Sequence, residues 1–249
     1  MKQAITVIFA LACCLLGHSS PAKVFIGEQL DYEIVFHWGI IWKHAASATM
    51  SFGQSGQGYS AKLTARTVSW ADKLYPVRDT LTCKIRSDLK PLKYVKAAHE
   101  HKYFAIDKID FSHSGGTTTG DCQRIRKDGT TGLLLSSTGP TFDMFSVFYY
   151  LRALDYSGMQ SGHKETVTIF SGQEKETLTV RYITQEDVKL RDKSVHKSHH
   201  ITFTFTSEDG KESSTPINVW LSTDAAHIPL LIIGKIRIGE VRCYCRLPK

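Results

Sequence analysis

Four carboxylates and one guanidinium stand out as groups able to do chemistry: Glu28, Asp79, Asp143 and Asp224, with Arg152 as a rigid bidentate partner. Brought into one cleft, Asp79 and Asp224 would supply an acid and a base for hydrolysis. Spread through the molecule, these groups read instead as structural ion pairs, with Asp143 as a helix cap. That reading is favoured, because a buried arginine has to be paired. Trp38, Trp220, Tyr149 and Phe145 offer ring faces suited to an apolar or sugar ligand, although such rings more often fill cores. The residues put forward for ligand contact are Glu28, Trp38, Asp79, Tyr149, Arg152, Trp220 and Asp224. None is put forward as catalytic, and no cofactor is implied.

The commoner reaction signatures do not occur. Gly53-Gln54-Ser55-Gly56-Gln57 breaks the nucleophile-elbow pattern at its last place and sits in a turn. There is no phosphate-cradling Gly-rich loop ending in Lys-Ser/Thr, and no His-Glu-x-x-His. His99 and His101 would share a strand face, two ligands at most; with His196, His199 and His200 they are read as exposed histidines, and no metal site is expected. The net charge of +7 is dispersed, without a long Lys/Arg block or a recognition motif, which argues against a nucleic-acid partner.

Elements able to position these groups are mostly strands. Leu30, Tyr32, Ile34, Phe36 and Trp38 alternate with more polar residues, the mark of a strand with one dry face. Ala46, Ala48, Met50 and Phe52 repeat the pattern, and Gly56, Gly115-Gly116 and Asp128-Gly129 punctuate the chain as turns. Roughly ten to twelve strands are expected. One principal helix, over about residues 142–155, is apolar around most of its circumference and needs cover on several sides. The fold class is therefore mainly β: a strongly curved antiparallel sheet or half-open β-barrel wrapped on that helix.

The amino terminus reads as an export signal over residues 1–22, leaving 23–249 as a single β domain. Lys2 precedes an apolar run from Ala4 to Leu16, and Ser20 and Ala22 stand at the −3 and −1 places. The run falls short of the roughly 20 residues a permanent span wants, so a periplasmic or secreted protein is expected, without a transmembrane span after cleavage. Cys13 and Cys14 raise lipid anchoring, but Leu15 and Leu16 continue the apolar run where a polar tether would be needed, which disfavours it. Export permits disulfides, and among Cys83, Cys122, Cys243 and Cys245 the preferred bridge is Cys83–Cys122.

Several of these residues carry a resemblance. Phe25-x-Gly27-Glu28-x-Leu30-x-Tyr32, Asp79 in Val77-Arg78-Asp79, Asp143-x-x-Ser146-x-x-Tyr149-x-Leu151-Arg152, and Val219-Trp220-Leu221-Ser222-x-Asp224 followed by Pro229 occur in order along the chain. In these the chain resembles the DUF3108 family of bacterial exported proteins. It departs from that pattern at His44, where relatives often carry glycine. The resemblance implies an extracytoplasmic β protein and no activity. The functional expectation is a non-catalytic binding or carrier module for an apolar, amphipathic or glycan ligand. An envelope assembly partner or, less favoured, a carboxylate hydrolase are the alternatives.

Overall fold

The computed structural model describes residues 24–247 apart from 213, 214 and 238; the expected export segment lies outside the described residues. The first eight strands are β1 (Gln29–Trp38), β2 (Ile41–Ser55), β3 (Gly58–Thr67), β4 (Arg78–Ile85), β5 (Pro91–Glu100), β6 (Tyr103–Ser114), β7 (Thr117–Arg126) and β8 (Gly129–Thr138), with a one-turn helix α1 (Ser69–Asp72) before β4. After β9 (Thr141–Asp143) and α2 (Ser146–Arg152) come β10 (Lys164–Ser171), β11 (Glu174–Lys189), β12 (Val195–Ser207), β13 (Ile217–Ser222), β14 (Pro229–Lys235) and β15 (Glu240–Arg246).

All fifteen strands of the described residues form one sheet, nearly closed and barrel-like. β1 to β8 lie side by side in chain order, β9 to β15 do likewise, and the two runs join where β1 pairs with β15. Every neighbouring pair is antiparallel except β9 with β10. The free edges, β8 and β9, turn toward each other. The seam between them is stitched by side chains rather than a backbone ladder: Ser137 Oγ donates to Thr168 Oγ1 at 3.0 Å and Thr131 Oγ1 to Gln173 Oε1 at 3.0 Å.

The strand count exceeds the expected ten to twelve, and two of the additional strands, β8 and β9, carry no alternation. β8 is an edge strand of Gly, Thr and three successive leucines, of which Leu134 is 70% exposed and Leu135 buried. In β1 both faces are covered, one of them only in part. Leu30 and Tyr32 face the core, while Val35, on the opposite face, is fully buried under the long β11–β12 hairpin. That hairpin folds Val188 and Leu190 over Val35, Leu231 and Tyr244, building a second layer outside the barrel wall. The register of β1 on β2 slips between Ile34 and Val35. The slip leaves Ala45 unpaired just after His44, whose Nε2 bonds the Ala46 carbonyl at 2.8 Å.

Helix α2 lies in the hollow but is shorter than the expected 142–155 span. Thr141–Asp143 is extended against β10, and the chain turns only when Asp143 Oδ1 accepts the amides of Phe145 and Ser146, both at 2.8 Å. Phe145 and Tyr149 pack into the cluster beneath β1–β8, whereas Val147 and Leu151 pack into the one beneath β10–β13. Positions two apart lie about 200° around a helix, so opposite faces serve the two halves.

Across the seam, Phe170 of β10 stacks on Phe111 of β6, with centroids 5.8 Å apart, and covers Gly120 of β7. A Cβ at Gly120 would stand 2.7 Å from the Phe170 ring and 3.0 Å from Ile109. Gly120→Ala is therefore expected to lose about 1–3 kcal/mol through overpacking. Gly132→Ala on β8, whose Cβ meets only a carbonyl at 3.9 Å, should be nearly neutral in the same urea titration. Equal stability of the two variants would mean that the seam is looser than described.

Candidate functional site

Four of the motif residues, Glu28, Tyr149, Arg152 and Asp224, far apart along the chain, converge on one buried knot at the end of the barrel where β1 begins. Gly27, at φ +81°, turns the chain so that Glu28 points inward before β1 starts. Arg152, at the last turn of α2 and 1% exposed, meets it: Nη1 donates to Glu28 Oε2 at 2.7 Å and Nη2 to Oε1 at 2.5 Å. Nε and Nη2 also donate to the Ala226 carbonyl at 3.0 and 2.9 Å. The guanidinium lies 4.4 Å above the centroid of the fully buried Phe25 ring, with Tyr149 beside it at 5.6 Å.

Asp224 shapes the loop that supplies this carbonyl. Its Oδ1 accepts the Ala226 amide at 2.9 Å and the Ser222 hydroxyl at 3.0 Å, and the Ser222 oxygen accepts the Ile228 amide at 2.7 Å. His227 Nδ1 closes the loop by donating to the Arg152 carbonyl at 2.7 Å. The knot thus ties the start of β1, the end of α2 and the β13–β14 loop together, and its guanidinium is spent on protein acceptors.

The remaining candidates lie elsewhere. Asp79, at the start of β4, is at the opposite end of the barrel from Asp224, and its Oδ1 accepts the His99 amide at 3.0 Å. The two carboxylates considered as an acid–base pair therefore do not share a cleft. Trp38 stands 54% exposed at the tip of the β1–β2 hairpin. Trp220 lies on the outer face of β13, stacked on His200 at 4.3 Å, its Nε1 donating to Glu186 Oε1 at 2.7 Å.

The Cys83–Cys122 bridge is not formed; both thiols are free and buried. Cys83 pairs with Tyr94, Tyr94 with Ile109 and Ile109 with Cys122, so three strand spacings separate them. That is about 14 Å, twice the ~7 Å reach of a disulfide. Burial lifts both thiols above their ordinary range, Cys122 to about 11. His199 also departs from expectation: it is buried, stacked on Tyr156 at 5.3 Å, and burial together with nearby His227 lowers its pKa.

A cleft does open at this same end of the barrel, among residues that sequence patterns did not single out. About 450 Å³ lies between the β4–β5, β6–β7 and β8–β9 turns and α2. Phe142 and Tyr150 form its aromatic wall, with ring centroids 4.5 Å apart, and Arg86, Lys90, His113 and Thr118 contribute its polar side. Arg86 pairs with Asp88 at 3.1 Å and Lys90 is 4.0 Å from the same carboxylate, so the two cations exceed the local acid by one. His113 is committed at both nitrogens, to Thr118 Oγ1 at 3.0 Å and the Pro91 carbonyl at 2.7 Å. A wider groove of about 610 Å³ runs over β2 to β5 and includes Lys62, Lys84 and Lys93 but no comparable ring pair. None of Glu28, Tyr149 and Arg152 lines either space.

The fold has a solved counterpart. A β-barrel-like protein of the domain of unknown function DUF1849 from Brucella abortus superposes with a TM-score of 0.61 at 15% identity, over 88% of this chain and 94% of that one. A DUF1089 family protein from Pseudomonas aeruginosa aligns at 11% identity over 82% of this chain and 96% of that one, but its TM-score of 0.36 carries no argument. The first likeness shows the fold alone. No curated protein matches the chain. The model of DUF3108, a family of proteins of unknown function, matches residues 31–246, and the chain belongs to that family.

Proposed function

We propose that the protein is an exported, non-catalytic binding module that takes an anionic glycan in the cleft between Phe142, Tyr150, Arg86 and Lys90. The observation that carries this reading is the cleft itself, an aromatic wall facing a net positive charge at the mouth of a barrel. A sugar ring can lie on the aromatic face while its acidic substituent meets the cations. An apolar ligand inside the barrel has less support, because α2 and the rings of Phe25, Phe52, Tyr94, Phe145 and Tyr149 fill that space. A catalytic role draws no support from His113, whose nitrogens are both engaged. Export rests on the amino-terminal pattern. An assembly role by strand addition would want a long open edge, and here the two edges face each other across the seam.

Calorimetric titration with uronic-acid oligosaccharides, their neutral counterparts and a fatty acid tests the reading. Binding of the acidic sugars is expected, about tenfold weaker in Lys90→Ala or Arg86→Ala, in keeping with one lost charged hydrogen bond. Fatty-acid binding that ignores these variants, or no sugar binding at all, would refute it.

A further inference from the structure

The opposite end of the barrel has a different character. The β1–β2, β3–β4, β5–β6 and β14–β15 connections all lie on this rim, because their strands alternate in direction. Most of the exposed large apolar side chains among the described residues gather there. Trp38, Ile40 and Trp42 come from the β1–β2 tip, Leu74 from the β3–β4 connection, Phe104 from β6 and Ile236 from the β14–β15 turn. Ile40, at the apex of its turn, is 98% exposed. These residues protrude from separate turns, a shape that suits a soft, fluid partner.

Charge on the rim points the same way. Lys43, Lys73, Lys102, Lys127, Lys235 and Arg237 are exposed on or beside the connections of β1 to β8 and β14 to β15. Of the carboxylates nearby, Asp72 is tied to Arg78 at 2.7 Å and Glu240 to Arg242 at 2.6 Å, leaving Asp79, Glu100 and Asp128 against those six cations. Two cations also lie over rings of the tip region: Lys43 Nζ is 4.0 Å from the Trp70 centroid and the Arg242 guanidinium 4.6 Å from that of Trp42. Indole rings at a tip, aliphatic residues beyond them and lysines behind match the layering of a bilayer interface: hydrocarbon, headgroup, anionic surface.

We propose that this rim docks on the surface of an anionic phospholipid bilayer, with Trp38, Ile40 and Trp42 entering the headgroup–acyl boundary. Among the described residues no helix is long and apolar enough to cross a membrane, so the docking inferred is peripheral. It holds the cleft at the other end of the barrel away from the lipid. The inference stands independently of what the cleft binds.

The test uses the full chain and vesicles of equal parts phosphatidylglycerol and phosphatidylcholine, with pure phosphatidylcholine for comparison. In a Trp70→Phe, Trp220→Phe background, brominated acyl chains should quench Trp38 and Trp42 on the anionic vesicles, and added salt should reverse the effect. Residues 4–16 are apolar enough to enter lipid themselves. Co-sedimentation therefore compares the unaltered chain with Ile40→Asp, which touches no buried group and should bind about tenfold more weakly. No quenching, or equal quenching on both vesicle types, would overturn the proposal. So would a concentration-dependent dimer abolished by Ile40→Asp in a chain that shows no quenching, because the rim would then be covered by a second copy.

Discussion

Arg152→Leu should destabilise the folded protein by about 3–5 kcal/mol, a large share of the roughly 5–15 kcal/mol that holds an ordinary domain folded. The cost arises chiefly from the groups that stay behind. Glu28, with its side chain 14% exposed, would keep a charge without a partner, and the Ala226 carbonyl would lose both of its guanidinium donors. Phe25 would also lose the cation above its ring. Glu28→Gln keeps an acceptor facing the guanidinium and should cost less. The double variant Glu28→Gln, Arg152→Leu should recover part of the single-variant loss, because it no longer buries a lone charge. Urea unfolding of the four proteins gives the coupling directly. If the two losses simply add, the knot is not a coupled pair.

The pH dependence of stability between about 4 and 6 should carry the mark of Asp143. This carboxyl is fully buried; burial raises its pKa to about 6 from the ordinary 3.8, against the lowering effect of the Ser146 and Phe145 hydrogen bonds. Its Oδ2 has no hydrogen-bond partner among the described residues. A raised carboxyl pKa means that the folded state holds a proton which the unfolded chain has already released. The contribution to stability is thus fully present below pH 3.8 and is lost as pH rises through about 6. Two pKa units correspond to about 3 kcal/mol. Asp143→Asn can still accept the two amides but cannot ionise, so its stability relative to the unaltered protein should rise by that amount across the window. Parallel stability profiles for the two proteins would show that Asp143 does not titrate there.

Much of the β architecture was legible in the sequence because alternation is local. Leu30 and Tyr32, Met50 and Phe52, and Tyr59 and Ala61 all face the core as their spacing requires. So was the burial of α2 on two sides, since Phe145 and Tyr149 sit opposite Val147 and Leu151 in any helix that spans them. The start of that helix was less legible, because Phe142 satisfies a helical stripe and an inward strand position equally well until β10 supplies a pairing partner.

The candidate site was legible only in part. Glu28, Tyr149, Arg152 and Asp224 could be named from their types and their motifs, yet Glu28 and Arg152 are 124 residues apart and nothing local pairs them. The cleft was not legible, because its walls come from two hairpin turns, the β8–β9 connection and α2, unremarkable singly and adjacent only once the strands are in register.

Class and composition were determined by sequence alone: alternating strands, one helix apolar on opposite faces, a dispersed positive charge, and an arginine that would require a partner if buried. Tertiary structure decided the β1–β15 pairing, the seam of β8 with β10, the separation of Cys83 from Cys122 by three strand spacings, and the placing of Asp79 and Asp224 at opposite ends. The physical reason is the range of the forces concerned. Side-chain direction repeats every two residues and is written into each strand. Which strand covers which, and in what register, follows from burying the whole apolar surface at once, so Arg152 acquires Glu28 as its partner only when the barrel curls shut.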